Sequence, residues 1–232
     1  MHDRPDALML FAAGFGTRMG MLTAECPKPL IRVGRRTLID HALAQAAGAG
    51  VRRVVVNTHY KAEQVKAHLE GSADIAISDE QPEILDTGGG LRKALPLLGD
   101  GPVFTLNTDA VWTGANALAQ LANAWDPARM DALLLLAPRE RAVGHSGAGD
   151  FMLGEGGHLT RGPGLIYTGA QIIRTEGLKT VPEEAFSLNL LWDAMLLDER
   201  IFGVVHDGGW CDVGTPEGIP LAEAMLSEPG NV

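Results

Sequence analysis

The stretch ALMLFAAGFGTRMGMLTAECPKPL, Ala7 to Leu30, decides the reading of this chain. Ala7–Gly14 is a continuous apolar run that ends in glycine, the pattern of a strand buried on both faces. A loop follows at once, with Gly14 and Gly16 separated by a single residue. Such a loop lets the backbone approach a ligand closely, and its N–H groups can cup a phosphate. Taken alone, a G-x-G is equally an ordinary tight turn. Two nucleotide motifs do not fit: Met19 stands where the dinucleotide fingerprint needs a third glycine, and the G-x-x-x-x-G-K-[ST] phosphate loop is absent. The pair Arg18 and Lys28 is more specific. Pro27 and Pro29 stiffen the chain around Lys28. A guanidinium can grip phosphate oxygens in a bidentate manner, and an ammonium acts as a compact point charge.

Working outward, strands and helices alternate. TLIDHALAQAAGAG reads as a helix from a Thr37 start to a Gly48 or Gly50 stop, and KAEQVKAHLEG as a second helix stopped by Gly71. A third is expected to begin after the glycines of DTGGG. VRRVVVNTH, ADIAISDE, PVFTLNTD and DALLLLAP read as strands. GANALAQLANAW reads as a helix between the last two. This alternation predicts a Rossmann-like, doubly wound, mainly parallel sheet with right-handed crossovers. Beyond about residue 137 the pattern changes to glycine-rich short strands, a helix over PEEAFSLNLLWDAMLLDE, a hairpin-like pair in RIFGVVHDGGWCDVGTP and a closing helix. We expect a small mixed β subdomain that extends the first sheet and caps its ligand face. The 232 residues then form one domain, 1–137 as one half and 138–232 as the other.

Composition narrows the function classes. A hydrophobic content of 46% with 21% charged residues suits a globular core, with disorder expected only in the tails Met1–Asp6 and Ser227–Val232. The net charge of −10 argues against a nucleic-acid surface. No apolar segment is long enough to cross a bilayer, and no signal peptide is evident, so a cytoplasmic protein is expected. Cys26 and Cys211 read as two free thiols. Asp109 ends an apolar strand, where a carboxylate suits a hard cation or, equally, a helix cap or turn.

The motif G-x-G-T-R-[ML], followed after a spacer by K-P, resembles the signature of the sugar-1-phosphate nucleotidylyltransferases, with Gly14, Gly16, Thr17, Arg18, Met19, Lys28 and Pro29 falling on it. DTGGGLRKALPLLGD, LNTDAVW and GWCDVGTPE are similar to segments of the small N-acetylmuramate-1-phosphate uridylyltransferases. The resemblance implies a magnesium-dependent enzyme of nucleotidyltransferase fold, acting on a nucleoside triphosphate and a sugar 1-phosphate. It implies that Arg18 and Lys28 are catalytic and that the backbone of Ala12, Ala13, Gly14, Gly16 and Thr17, with Arg18, holds the triphosphate. Glu80, Thr87, Gly88 and Gly89 would flank a pyrimidine base, and Asp109 and Asp212 would share Mg2+. The expected sugar side is Asn107, Gly149, Asp150, Arg161, Thr168 and Gly169.

The chain departs from the family in two places. Thr108 stands where relatives commonly have glycine. TRGPGLIYTG lacks the Glu-Lys-Pro segment that holds sugar hydroxyls in many hexose-1-phosphate members. A sugar already substituted at those hydroxyls, such as N-acetylmuramate, would not need that glutamate, and Arg161 is a candidate donor, on position alone, for its lactyl carboxylate. UTP with this sugar is the preferred pair. Mannose or glucose 1-phosphate with GTP, UTP or dTTP is the alternative, and a nucleotide-sensing subunit is the non-enzymatic one. No second activity on a C-terminal repeat extension is expected, and the oligomeric partner is left open.

Overall fold

The computed structural model describes residues 4–72 and 74–228. The tail residues Met1–Asp3 and Pro229–Val232 lie outside that range. Seven strands build the main sheet: β1 (Ala7–Phe11), β2 (Arg53–Thr58), β3 (Ile75–Asp79), β4 (Val103–Asn107), β5 (Ala132–Ala137), β6 (Ile166–Ile173) and β7 (Ile201–Val205). Their order across the sheet is β7-β5-β6-β4-β1-β2-β3. All pairings are parallel except those of β6, which runs antiparallel to both β4 and β5. The first half thus supplies the parallel frame, and the second half inserts β6 into it and adds β7 at the edge.

Five helices flank the sheet, α1 (Leu38–Gly48), α2 (Ala62–Leu69), α3 (Asp86–Leu98), α4 (Ala117–Ala124) and α5 (Asn189–Leu197), and a sixth, α6 (Gly218–Ser227), packs with Val33, Val111 and Cys211 in a separate cluster. Strand β1 shows why both faces are covered. Leu8 and Leu10 enter one core cluster with Ile39, Val65 and Leu118 of α1, α2 and α4. Ala7 and Met9 enter the other, with Leu91 of α3 and Leu191 of α5. Successive side chains of a strand point to opposite faces, so an uninterrupted apolar run demands helices on both. Helix α1 begins at a capping box in which Asp40 N–H donates to Thr37 Oγ1 at 3.3 Å and Thr37 N–H donates to Asp40 Oδ2 at 3.2 Å.

Four boundaries differ from the sequence expectation. Helix α3 begins at Asp86, so Gly88, Gly89 and Gly90 lie inside its first turns and are buried. The helix expected over PEEAFSLNLLWDAMLLDE is confined to α5, because the preceding segment runs against α3 and buries Phe186. The expected RIFGVVHDGGWCDVGTP hairpin is absent. Strand β7 pairs with β5, while Trp210–Asp212 pairs antiparallel with Ala110–Trp112 and parallel with Ala142–Val143 in a separate three-stranded sheet. Ser227, expected in the disordered tail, is the last residue of α6.

Neighbouring β1 and β4 connect in opposite directions across the sheet, which makes a topological switch point at their carboxyl ends. The loops leaving these ends begin at Ala12 and Thr108.

Candidate active site

A cavity of about 330 Å³ opens at the switch point, lined by the Ala12–Arg18 loop, Lys28, Asn57, Glu80, Asp86, Thr87 and Thr108–Asp109. The loop is fixed at both ends. Ala12 N–H donates to Asn57 Oδ1 at 2.7 Å, and Tyr60 OH donates to the Thr23 carbonyl at 2.8 Å. Gly16 has φ +64°, and a Cβ there would stand 2.9 Å from both Lys28 Cβ and Thr23 Cγ2. The glycine therefore makes room for the lysine stem as well as for a turn. Thr17–Met19 and Lys28–Leu30 are single 3-10 turns that carry Arg18 and Lys28. Thr108 Oγ1 donates to the Phe11 carbonyl at 2.7 Å, so this side chain ties β4 to β1 at the cavity floor.

The charged groups converge at one wall. Lys28 Nζ stands 2.9 Å from Asp109 Oδ2, with the lysine side chain only 12% exposed. Asp212 is brought beside Asp109 by strand pairing: it lies in register with Ala110, and Val213 N–H donates to the Asp109 carbonyl at 2.8 Å. Burial raises the Asp212 carboxyl above its ordinary range and the facing Asp109 carboxylate adds to this, against the pull of Lys28, Arg18 and His145. At Gly214 a Cβ would fall 2.9 Å from Asp212 Oδ1 and 3.0 Å from Arg18 Nη1, so this glycine lets the arginine lie beside the acid. His145 Nδ1 is 3.5 Å from Asp212 Oδ2. Two mutually repelling carboxylates in a cleft are a hard-oxygen donor pair, and they fit a divalent cation that takes its other ligands from phosphate and water.

A second cavity, about 370 Å³, is lined by Asp150, Phe151, Arg161, Tyr167, Gln171, Asn189 and Trp192, among others. It shares Phe11, Asp86, Thr87 and Asn107 with the first, so the two adjoin across a common wall. Arg161 lies over the Phe151 and Trp192 rings, 4.9 and 5.5 Å from their centroids, and its Nη2 donates to Asn189 Oδ1 and Asp193 Oδ1, each at 2.8 Å. Trp192 is anchored in turn: its Nε1–H donates to Gln171 Oε1 at 2.9 Å, and its ring meets that of Tyr167 edge-on.

The MobA-like NTP transferase domain family matches residues 8–201. The chain belongs to that family. It is 41% identical to an N-acetylmuramate alpha-1-phosphate uridylyltransferase of Caulobacter vibrioides, across 98% of this chain and all of that one. It is 34% identical to the Neisseria meningitidis protein of the same name, across 94% and 96% of the two chains. The fold matches that of HddC from Yersinia pseudotuberculosis, solved with GMP-PN, at a TM-score of 0.75 and 18% identity, covering 95% of this chain and 99% of that one.

In this NTP transferase domain the opening-loop residues, Arg18, Lys28, Thr87, Asp109, Asn107, Asp150 and Arg161 line the two adjoining cavities, and Asp212 stands beside Asp109 and Arg18. Six expected residues stand differently. Gly88 and Gly89 both give their N–H groups to the Phe186 carbonyl, at 2.8 and 3.1 Å, and a Cβ on them would strike the Phe186 ring and the Glu184 carbonyl. They are shaped by the packing of α3 and not by the cavity. Gly149 is held against the Gly164 backbone. Thr168 is 1% exposed, and its hydroxyl donates to the Leu135 carbonyl at 2.8 Å. Gly169, at the register shift in β6, borders the site indirectly: a Cβ there would stand 2.8 Å from the Asn107 side chain. Glu80 faces the first cavity but is wholly buried, with its oxygens held by Asn57 and Leu85. Asn57, Gln171, Asn189 and His145 are site residues that carry no motif of their own. Trp192 of α5 forms a cavity wall.

Proposed function

We propose that the chain transfers a uridylyl group from UTP to N-acetyl-α-muramate 1-phosphate, releasing pyrophosphate, in cytoplasmic recycling of cell-wall sugar. The observation that carries this reading is the pair of adjoining cavities, with Arg18, Lys28 and Asp109 lining the first and Asp212 set beside Asp109 and Arg18. Likeness to two proteins bearing this activity in their names, over nearly the whole chain, supports the substrate pair. The nucleotide falls mainly to the half 1–137 and the sugar mainly to the half 138–232, with Asn107 crossing over to the sugar and Asp212 to the metal.

In the reaction an oxygen of the sugar phosphate forms a bond to the α-phosphorus of UTP, and the bond from that phosphorus to the bridging oxygen of the leaving pyrophosphate breaks. Asp109 and Asp212 would hold Mg2+, which supplies charge to offset repulsion between the two anionic reactants. Lys28 neutralises the α-phosphoryl and incoming phosphate oxygens, and its stem is locked between Gly16 and Asp109 so that little reorganisation is needed. Arg18 stabilises the departing pyrophosphate. A phosphate oxygen is already ionised near neutral pH, so no general base is required, and catalysis is positioning plus charge stabilisation. The backbone of Ala12–Thr17 cradles the triphosphate, and the Ile84–Thr87 segment flanks the base. In the second cavity Arg161 meets the lactyl carboxylate, while Asn107 and Asp150 take sugar hydroxyl or amide groups.

The test is a panel of nucleoside triphosphates against sugar 1-phosphates with magnesium, read by pyrophosphate release and product mass. The expected product is UDP-N-acetylmuramate. Release with mannose or glucose 1-phosphate in preference would replace the sugar assignment. Triphosphate binding with no release from any pair would make the chain a sensor instead of an enzyme.

A further inference from the structure

We infer that Glu80 and Asn57 form a buried polar clamp that sets the spacing between two walls of the nucleotide cavity. They are therefore positioning residues for triphosphate binding. The inference rests on reading the first cavity as the nucleotide site. Glu80 is 0% and Asn57 3% exposed. Asn57 Oδ1 accepts from Ala12 N–H at 2.7 Å, the first residue of the triphosphate loop. Asn57 Nδ2 donates to Glu80 Oε1 at 2.6 Å, and Glu80 Oε2 accepts from Leu85 N–H at 2.9 Å. The backbone of Glu80 joins in, with its N–H donating to the Thr58 carbonyl at 2.8 Å and its carbonyl lying 3.1 Å from His59 Nδ1. One unbroken chain of bonds thus runs from Ala12 on one side of the cavity to Leu85 on the other. Leu85 sits between Ile84 and the Asp86–Thr87 pair, all three of which line the cavity.

The clamp also accounts for the third glycine of the triad. A Cβ on Gly90 would run into Glu80 Oε1 and stand 3.2 Å from Asn57 Nδ2. The start of α3 is hollowed out for this carboxylate. A buried network of this kind specifies one geometry because each donor has one acceptor and each acceptor is taken. The arrangement makes a directional demand: position 57 must offer one acceptor and one donor, and position 80 two acceptors.

Three variants test it. Glu80→Gln offers a single acceptor to two donors, leaving the amide of the new side chain opposed to either Asn57 Nδ2 or Leu85 N–H. Asn57→Asp sets two carboxylates against each other. The double variant N57D/E80Q restores every bond, with only the central one reversed: the new carboxylate accepts from Ala12 N–H and from the new amide, whose carbonyl accepts from Leu85 N–H. Calorimetric titration of each with UTP and magnesium, in the absence of sugar phosphate, reads the nucleotide site directly. Each single variant should weaken UTP binding by about tenfold or more, and the double variant should return to within about threefold of the wild type. In turnover the loss should fall on the KM for UTP more than on the KM for the sugar phosphate. Single variants that bind UTP like the wild type, or a double variant no better than either single, would overturn the clamp. If the single variants fail to fold, the double variant decides: recovered folding and UTP binding support the inference, and their absence refutes it. A wild type that binds no UTP overturns the nucleotide reading itself, and this inference with it.

Discussion

Lys28→Met isolates the charge of Lys28 while keeping most of its stem. The lysine side chain is 12% exposed and its Nζ is held 2.9 Å from Asp109 Oδ2. Two effects of the substitution can be separated by size. The first is on stability. Asp109 keeps about a third of its side chain in solvent, 32%, so losing its partner is softened by water, and we expect a loss of about 1 kcal/mol or less. For a chain of this length that is a fall of only about 2–4 °C in Tm. The second effect is on the reaction. A pre-positioned donor facing charge that develops on a phosphoryl group is worth about 3–4 kcal/mol, or roughly a hundred- to a thousandfold in kcat. The assay is pyrophosphate release at saturating UTP, sugar phosphate and magnesium, alongside thermal melting of the same preparation. A kcat close to the wild-type value in a folded variant would remove Lys28 from the mechanism. A fall in kcat that tracks a collapse in Tm would make the lysine a structural residue only.

Asp109→Asn and Asp212→Asn should each shift magnesium activation to higher concentration, by about tenfold or more, because one of the two anionic donors is lost. A titration curve moved by only one of them would break the pairing. Arg161→Met should raise the KM for N-acetylmuramate 1-phosphate by about tenfold and leave that for N-acetylglucosamine 1-phosphate, which has no lactyl group, nearly unchanged. Equal effects on both sugars would remove Arg161 as the reader of the carboxylate. Burial lowers the pKa of His206, so the folded state resists protonating it. Both states hold a neutral ring above about pH 6.5, and stability is lost as pH falls below that unfolded value. The fall in Tm on acidification should be shallower in His206→Gln, and parallel curves would refute the assignment.

What the sequence discloses is the part of the site built from contiguous chain. The apolar run into Gly14 and Gly16, and the acid at the end of PVFTLN, follow from strand physics, because both faces of β1 and β4 are buried and ligands gather at strand ends. Arg18 and Lys28 suggest phosphate chemistry through residue type. The glycine triad misleads because its partners are distant: Gly88 and Gly89 answer to Glu184 and Phe186, about a hundred positions away, and local sequence gives no view of that contact. Glu80 misleads in another way. An acid beside a predicted ligand loop suggests direct contact, whereas both its oxygens are already taken inside the protein. Asn57 and Gln171 are invisible for a related reason, since an amide in a strand shows its worth only when its donors and acceptors are matched in space. Trp192 lies on the amphipathic helix where core residues belong, and only the approach of Arg161 makes it a cavity wall.

The pairing of Trp210–Asp212 with Ala110–Trp112 has a consequence in time. A chain synthesised from its N-terminus exposes the triphosphate loop and Asp109 long before Asp212 leaves the ribosome. Until that late strand docks, the growing protein holds one carboxylate of the pair and lacks the other. Under the proposed function, the acidic pair is therefore completed last. A chain clipped ahead of residue 210 would lack Asp212 and be unable to complete it.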